Sequence, residues 1–380
     1  MSMWMNGAIS LLSILMRSDA LWGMESVTTQ GNGGQRITQR ELAEKLGVNQ
    51  ATVSRALSKG GRLSGELRER ILREAERLGY RPDPVLSSLN AYRRTQRPIT
   101  RGQSLAWFGA MAPGEIGYEP LLFRAARARA EELGYGMEYF WENEPGFSVA
   151  RYEQIFRARG IAGVVFGPRS QPHVRIGLKI DEVAAVMLGR SVDWPPVDRV
   201  SVDHFQTMET CYDAVRERGF RRIGLVLSEG FSERVAGVWT SSFLGRQARG
   251  ADAGLVRLPV LLIEEDQEKA AARFEAWWRR WKPDAIMTMA WRLGCVPVMR
   301  KLGLRFPEEV GVALLMVPEH EPPYMHFSGI YEPVGELARF AVDVLVGRIR
   351  NNERGMPPDR RVHLLPGAWR EGKTLGTLRG

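Results

Sequence analysis

Apolar positions in residues 38–58 recur at helical spacing in two short blocks with a glycine between them. Thr38 and Glu41 stand three residues apart at the start of the first block, which is the spacing of a capping box. Gly47 is the expected end of this helix, because glycine adopts the left-handed conformation without a Cβ penalty. Asn49 is the expected N-cap of the second helix. The pattern therefore predicts a helix-turn-helix, whose apolar positions are Leu42, Ala43, Leu46, Val48, Val53, Ala56 and Leu57.

The polar face of the second predicted helix contains only short or polar side chains and one arginine. Such a face is able to reach the edges of base pairs, because no bulky aliphatic side chain obstructs it. In a helix-turn-helix, the second helix is the one that enters the major groove. We therefore predict a DNA-reading face formed by Gln50, Ala51, Thr52, Ser54 and Arg55.

A third amphipathic helix is predicted from an N-cap at Ser64, because the apolar residues that follow repeat at the period of one helical face. We assign these residues to a small core and not to chemistry. The three helices together predict a DNA-binding domain over residues 37–82. The residues of the stripe are Leu67, Ile71, Ala75 and Leu78.

Residues 83–101 combine a helix start with the composition of a linker. Asp83 and Pro84 suit the N-cap and the first helical position. The following segment has room for about two helical turns, which are unstable in isolation because short helices do not offset the cost of nucleation. Two interpretations remain open: a hinge helix that forms on contact with a partner, and a plain tether.

From residue 102 to residue 380 apolar strands alternate with helices. This alternation predicts an α/β core of parallel sheets with helices on both faces. The length predicts two lobes, with a boundary near residues 203–205. The predicted strands are 105–111, 137–141, 162–167, 184–189, 222–227, 284–289 and 310–316. The predicted helices include 121–133, 208–218, 269–281 and 291–302.

The net charge of +9 is concentrated in one segment of the chain. Residues 36–101 contain 15 Lys and Arg against 7 Asp and Glu, whereas residues 102–380 contain 37 against 35. A solvated charged surface accounts for mixed signs but not for this concentration of positive charge. Because a basic face attracts phosphates and releases counterions, double-stranded DNA is the expected partner.

Other features point to a cytoplasmic protein. The two cysteines, Cys211 and Cys295, form no CxxC motif, and no stretch of about 18 apolar residues predicts a membrane span. Residues 1–36 contain an apolar run without a preceding basic residue, so we expect a disordered extension and not a secretory signal. A later translation start, such as Met24, remains an alternative.

The sequence contains no recognisable catalytic, cofactor or metal motif. No GxGxxG follows a strand, there is no GxxxxGK[ST], HExxH or GxSxG, and the five histidines lack metal-ligand spacing. We therefore predict no enzymatic activity, no catalytic residue, no cofactor and no metal site. Ligands of parallel sheets bind beyond the carboxyl ends of the strands. The candidate effector-binding residues at those ends are Tyr118, Arg169, Asp203, Arg234 and Trp291.

The chain resembles the LacI/GalR family of transcriptional regulators from about residue 37 to the C-terminus. The resemblance is strongest in ITQRELAEKLGVNQATVSRALS, and it continues through RLSGELRERILREAERLGYRPDPVLSSL. Weaker but colinear blocks are IAGVVFG, SVDHFQT, GFRRIGLV, PDAIMTM and LGLRFPEEVGVALL. The resemblance implies three helices and a hinge helix, followed by a two-lobed periplasmic-binding-protein-like core over residues 102–380. It implies lobe crossovers near residues 203–205 and 326–334.

The resemblance also implies roles at matched positions. Asn49, Gln50, Ala51 and Arg55 would face bases, while Thr38, Thr52 and Ser54 would lie near phosphates. Leu89 in the hinge would occupy the place of the wedging leucine in the minor groove, and an apolar side chain suits that role. Family members bind pseudo-palindromic operators as homodimers and respond to a small effector between the lobes. A repressor is therefore expected.

Two departures from the family concern the effector. The acidic positions that often bind sugar hydroxyls fall near Ala290, Trp291 and Met316 in this chain. A simple sugar is therefore disfavoured, and the aromatic Trp291 suggests a larger or more apolar ligand.

Two competing hypotheses assign the chain to other functional classes, a binding protein and an enzyme. A pure periplasmic binding protein would require an export signal and would not carry a basic helix-turn-helix. An enzyme on a doubly wound fold would require a catalytic motif. The regulator hypothesis therefore agrees best with the sequence.

Overall fold

The fold is that of a computed structural model. It describes residues 37–57, 64–78, 80, 104–115, 117–249, 254–264, 266–290, 294–318 and 321–377. The predicted extension at 1–36 and the predicted hinge and linker at 83–101 lie outside these residues. No helix in the described part of the chain combines the length and the apolar character needed to cross a membrane.

The N-terminal domain contains the three predicted helices, α1 (Gln39–Leu46), α2 (Gln50–Leu57) and α3 (Gly65–Arg77). The capping box at Thr38 and the left-handed Gly47, with φ 65°, are both confirmed. Ser64 occupies the N-cap position of α3, but its side chain makes no capping hydrogen bond. The three helices enclose one apolar cluster, whose buried members are Leu42, Ala43, Leu46, Val53, Ala56, Ile71 and Ala75.

The first lobe of the core is a six-stranded, fully parallel sheet with helices on both faces. Its elements are β1 (Ser104–Gly109), α4 (Tyr118–Glu132), β2 (Gly136–Trp141), α5 (Val149–Arg159), β3 (Ile161–Phe166), β4 (Val174–Arg175), β5 (Ala184–Leu188), β6 (Val192–Trp194), β7 (Asp198–Val202), α11 (Val334–Arg350) and β13 (Val362–Leu365). The strand order is β13-β7-β5-β3-β1-β2, and β4 pairs separately with β6. Apolar clusters on the two faces of the sheet form the core of this lobe.

The second lobe repeats this architecture with a second six-stranded sheet, of order β14-β12-β11-β10-β8-β9. Only its edge strand β14 is antiparallel to its neighbour. The elements are α6 (His204–Glu217), β8 (Ile223–Ser228), α7 (Glu229–Arg234), α8 (Val238–Arg249), β9 (Leu261–Ile263), α9 (Gln267–Trp281), β10 (Ala285–Thr288), α10 (Val296–Lys301), β11 (Gly311–Leu314), β12 (Ser328–Tyr331) and β14 (Ala368–Arg370). Apolar clusters again cover both faces of the sheet. The predicted α/β core of parallel sheets is thus confirmed.

Three segments join the lobes. The chain passes from β7 to α6 at Asp203, returns from β12 to α11 at residues 332–333, and crosses again between β13 and β14 at residues 366–367. The sequence did not predict the third crossing. Its flanking strands lie at sheet edges and are only partly buried, so they lack the continuous apolar run that marks the central strands.

Two predicted boundaries differ from the observed ones for physical reasons. Strand β1 ends at Gly109, two residues early, because the amides of Ala110 and Met111 donate to the carboxylate of Glu119 instead of a neighbouring strand. Helix α6 begins at His204, four residues early, because the Asp203 side chain caps it by accepting from the amide of Gln206 at 3.0 Å.

A buried ion pair attaches α11 to the sheet of the first lobe. Arg348 Nη1 lies 2.9 Å from Asp198 Oδ2, and the two side chains are 4% and 1% exposed. The second carboxylate oxygen of Asp198 accepts from the amide of Arg361 at 2.9 Å, next to β13. Asp198 on β7 is therefore connected to α11 and to the segment before β13, which lie 150 and 163 residues away in the chain.

We predict that Asp198→Ala lowers the free energy of unfolding by about 3–5 kcal/mol, because it leaves the buried Arg348 guanidinium without its main counter-charge. Urea denaturation of the full chain measures this change. The control is Asp343→Ala, in helix α11, which also contains Arg348. Asp343 pairs with Arg129 at 2.8 Å, but both side chains are partly exposed. That variant should lose no more than about 1 kcal/mol. Equal losses in the two variants would contradict the assigned role of the buried pair.

Candidate functional sites: helix-turn-helix and interlobe cavity

The start of α1 is held by reciprocal hydrogen bonds. The amide of Glu41 donates to Thr38 Oγ1 at 3.2 Å, and the amide of Thr38 donates to Glu41 Oε2 at 2.7 Å. These bonds from Thr38 hold the pKa of the Glu41 carboxyl below its ordinary value. Thr38 remains exposed at the tip of the helix, at the position predicted to lie near a phosphate.

Helix α2 presents two unlike faces. Val53 and Ala56 are fully buried against α1 and α3. Asn49 and Gln50, at the start of the helix, are exposed, and Thr52 is half-buried. The side chains of Ala51, Ser54 and Arg55 lie outside the described part of the structure, as does the whole of Leu89. The base-reading roles of all these residues remain predictions.

Between the two lobes lies a cavity of about 350 Å³. Its walls come from the ends of β1, β3, β5 and β7 in the first lobe, from α7 and the end of β11 in the second, and from the segment that returns to α11. Its polar and charged lining residues are Glu115, Tyr118, Glu119, Arg169, Ser170, Arg190, Ser191, Ser201, His204, Arg234 and Glu332. Its apolar lining includes Met111, Leu122, Leu188, Val202, Phe231, Val235, Met316 and Leu337.

The candidate effector-binding residues have different positions relative to this cavity. Tyr118, Arg169 and Arg234 line it. The Asp203 carboxylate is instead engaged in capping α6, and Trp291 lies outside the described residues. The structure thus brings three of the five candidates together.

Arg169 lines the cavity, but its guanidinium is bound within the first lobe. Nε donates to Glu142 Oε2 at 2.6 Å, Nη1 donates to the carbonyl of Gly167 at 2.5 Å, and Nη2 donates to the carbonyl of Phe108 at 3.3 Å. The side chain is 4% exposed. These contacts indicate that Arg169 shapes the wall by holding together the ends of β1 and β3.

Glu119 has the same kind of internal role. Its carboxylate accepts from the indole of Trp107 at 2.9 Å, from the amides of Ala110 and Met111 at 3.1 Å, and from the hydroxyl of Tyr139 at 3.2 Å. A Cβ added at Gly109 would lie 2.1 Å from Glu119 Oε1, so the close approach of this carboxylate requires glycine there. The helix predicted at 121–133 starts after Glu119, whereas the observed helix begins at Tyr118, so the sequence did not single out this residue.

Glu332 connects the lobes at the wall of the cavity. The hydroxyl of Tyr118 donates to Glu332 Oε2 at 3.3 Å, so the first turn of α4 contacts the segment that leaves β12. Burial raises the pKa of Glu332 to about 7, although Tyr118 and Arg234 act in the opposite direction. Burial and the nearby Glu332 charge also raise the pKa of the Tyr118 hydroxyl well above its ordinary value.

Arg190 and His204 are cavity residues that the sequence did not single out. Arg190 follows β5 by two residues, so the rule that ligands bind beyond strand ends could have identified it. His204 begins α6 and packs edge-on against Trp239. Burial and the charges of Arg190 and Arg234 lower the pKa of His204 to about 3, so its ring is neutral near pH 7. Among the residues with described positions, no three His, Cys, Asp or Glu side chains come together as metal ligands.

Comparison with known proteins gives two family matches. The profile described as "Bacterial regulatory proteins, lacI family" matches residues 38–83, and that of the "Periplasmic binding protein-like domain" matches residues 212–375. The first covers the helix-turn-helix and the second covers most of the second lobe. Together they match the two parts of the architecture described above.

Individual relatives agree with these matches. An HTH-type transcriptional regulator of Mycolicibacterium smegmatis is 31% identical over 201 residues, which cover 50% of this chain and 51% of the relative, so the chain spans about half the length of that protein. The HTH-type transcriptional regulator PtxS of Pseudomonas aeruginosa is 25% identical over 340 residues, covering 86% and 92% of the two chains. The lac repressor dimer bound to operator and the anti-inducer ONPF superposes with a TM-score of 0.50 at 17% identity, covering 90% of this chain and 99% of that chain. At this identity the superposition establishes the fold alone.

The raised pKa of Glu332 predicts a pH-dependent stability. Between its ordinary value of 4.5 and about 7, the unfolded chain has lost this proton while the folded protein retains it. The free energy of unfolding therefore falls as the pH rises through this window, by about 3 kcal/mol in total. Glu332→Gln keeps an acceptor for Tyr118 but carries no charge, so it should lack this loss.

Urea denaturation of both proteins from pH 5 to pH 8 measures the difference. The control is Glu132→Gln, because Arg339 and Arg129 lower the pKa of Glu132 to about 2 and its effect is confined to more acidic pH. The stability gap between wild type and Glu332→Gln should widen with pH, and the gap for Glu132→Gln should stay constant. A constant gap for Glu332→Gln would contradict the buried, protonated state of this carboxyl.

Proposed function

We propose that the chain is a member of the LacI family of bacterial regulatory proteins and a sequence-specific DNA-binding regulator of transcription, controlled by a small molecule in the interlobe cavity. The observation that carries the proposal is the helix-turn-helix. Its second helix buries Val53 and Ala56 while Asn49 and Gln50 at its start are exposed. A helix packed on one side and polar on the other suits insertion into the major groove.

The distribution of charge along the chain also supports DNA as the partner. Residues 36–101 hold nearly all the excess positive charge of the chain, whereas the core is almost balanced. Phosphate contacts supply most of the sequence-independent affinity of a DNA-binding protein. The basic segment therefore attracts the duplex, and the exposed face of α2 selects the sequence.

We assign base contacts to Asn49, Gln50, Ala51 and Arg55, and phosphate contacts to Thr38, Thr52 and Ser54. Leu89 is proposed to wedge between base steps in the minor groove, where an apolar side chain kinks DNA. We propose that the protein acts in the cytoplasm as a homodimer on a pseudo-palindromic operator, since two-fold symmetry of the protein requires matching half-sites. Repression is the expected outcome.

In this proposal, the core regulates DNA binding through its ligand. Two lobes joined by three segments and separated by a cavity are able to adopt different relative arrangements. A ligand that contacts both lobes favours one arrangement by its differential affinity, and the change reaches the DNA-binding domains through residues 83–101. Arg169 and Glu119 are bound within the first lobe, and we propose no catalytic role for the cavity.

We predict that Gln50→Ala relaxes base preference at one operator position in each half-site, at a cost of about 1–3 kcal/mol in specific binding. Selection of binding sequences from random DNA, first with wild type and then with the variant, measures this preference. The control is Glu76→Gln, at an exposed position on α3, which should select the same sequences as wild type. If Gln50→Ala also selects the wild-type sequences, Gln50 does not read bases.

We also predict that deletion of residues 1–100 abolishes specific DNA binding while the two-lobed core remains folded. The core has its own apolar clusters on both faces of both sheets, so its folding does not require the N-terminal domain. Gel-shift assays with the selected sequence and circular dichroism of the same preparation measure the two properties. Specific retention of DNA by the truncated protein would contradict the domain assignment.

A further inference from the structure

Two arginines from opposite lobes line the interlobe cavity, and neither forms an ion pair with a described residue. Arg190 follows β5 in the first lobe, and Arg234 ends α7 in the second. Among the described residues, neither guanidinium makes a hydrogen bond or an ion pair, and Arg190 Nε is buried without a partner. Arg234 lies over the ring of Phe231, whose centroid is 4.2 Å from the guanidinium carbon, and it is attracted by Glu332 without forming an ion pair with that residue. Both residues are half-buried, and burial lowers the pKa of each guanidinium. A partly desolvated cation without a close acceptor is costly, so this arrangement requires an explanation.

The described carboxylates near the cavity form no ion pair with these two arginines. Glu142 pairs with Arg169, and Glu119 is saturated by donors of the first lobe. Glu332 is buried, accepts from Tyr118, and has a pKa raised to about 7, so it carries only part of a charge at neutral pH. Asp203 attracts Arg190 but forms no ion pair with it, and its carboxylate caps α6. Glu115, the remaining carboxylate of the lining, is exposed and pairs with neither arginine, so both guanidinium groups keep hydrogen-bond donors available at the cavity.

A third polar group faces the same cavity. His204 is 8% exposed, and its Nδ1 atom has no hydrogen-bond partner among the described residues. The ring is neutral near pH 7 and interacts with the backbone of Val202, so the unpartnered Nδ1 atom is the one that remains for a ligand. An unsatisfied buried nitrogen beside two unpaired guanidinium groups indicates a place for a ligand oxygen.

The apolar part of the cavity wall determines which non-ionic part of a ligand fits there. Leu188, Val202 and Leu337 come from the first lobe, while Val235 and Met316 come from the second. Such a surface excludes a ligand that is polar on every side, because its hydroxyl groups would lose their hydrogen bonds to water. The volume of about 350 Å³ suits a small organic molecule.

From these observations we propose that the cavity binds an organic anion, whose carboxylate or phosphate group is held by Arg190 and Arg234 and whose apolar body packs against the aliphatic wall. Both guanidinium groups are suited to this task, because their planar forks match carboxylate and phosphate oxygens. Since one arginine belongs to each lobe, the anion joins the lobes and stabilises the arrangement in which both face one cavity. The inference names the chemical class of the effector, and it therefore rests on the proposed function.

The test is a thermal-shift measurement on the full chain with three probes of similar shape. Benzoate carries a carboxylate, phenyl phosphate carries a phosphate, and benzamide is neutral; ionic strength is held constant with sodium chloride. Wild type is compared with Arg190→Gln and Arg234→Gln. The matched control is Arg157→Gln, at an exposed position in the last turn of α5.

At least one anionic probe should raise the melting temperature of wild type by a few degrees more than benzamide does, because a ligand specific for the folded state stabilises it. The anion that does so identifies the preferred head group. Arg190→Gln and Arg234→Gln should each lose the shift, and Arg157→Gln should keep it. If either glutamine variant does not fold, Arg190→Lys and Arg234→Lys keep the positive charge and should show a reduced shift.

Two results would overturn the inference: no anionic probe exceeds benzamide with wild type, or both cavity variants respond as wild type does. Gel-shift assays on the same proteins without probe separate this outcome from a failure of the proposed function. DNA binding without any anion effect removes only the proposed ligand class. An anion effect in a protein that binds no specific DNA removes the regulatory function.

Discussion

Parallel strands end at one common edge of a sheet, and this constraint places the cavity. The walls of both lobes are built from residues that directly follow strands, from Met111 after β1 to Met316 after β11. Because the backbone leaves the hydrogen-bonded ladder there, amides and carbonyls need other partners. Glu119 supplies acceptors to the end of β1, and Arg169 supplies donors to the carbonyls of Phe108 and Gly167. The strand ends thus become a rigid wall.

The same edge contains charged groups that the protein does not satisfy by itself. Arg169 and Glu119 lie within one lobe and have full sets of partners there. Arg190 and Arg234 lie on opposite lobes, and the described residues provide neither with an acceptor. This contrast separates residues that maintain the wall from residues that are available to a ligand. It also explains how a ligand could act on the whole core, since the groups that need it belong to both lobes.

The DNA-binding domain and the core have different physical requirements. The three helices enclose a small apolar cluster and depend on local devices, such as the capping box at Thr38 and the left-handed Gly47. The core depends on contacts between residues far apart in sequence, such as the buried pair of Asp198 and Arg348. The excess positive charge lies in the first part, so the proposed attraction to DNA and the proposed recognition of a ligand depend on different parts of the chain.

The sequence by itself determined the elements that depend on short-range patterns. The helix-turn-helix follows from spacing within a few residues, and the central strands follow from continuous apolar runs that must be buried on both faces. Only the tertiary structure decided which candidates meet. Asp203 and Arg169 look alike in sequence as polar residues after strands, yet one caps a helix and the other braces the wall. Glu332 meets Tyr118, 214 residues away in the chain. Arg190 shares the cavity with Arg234 only across the two lobes, and the strands beside residues 366–367 pair with β7 and β12, so no local pattern records these contacts.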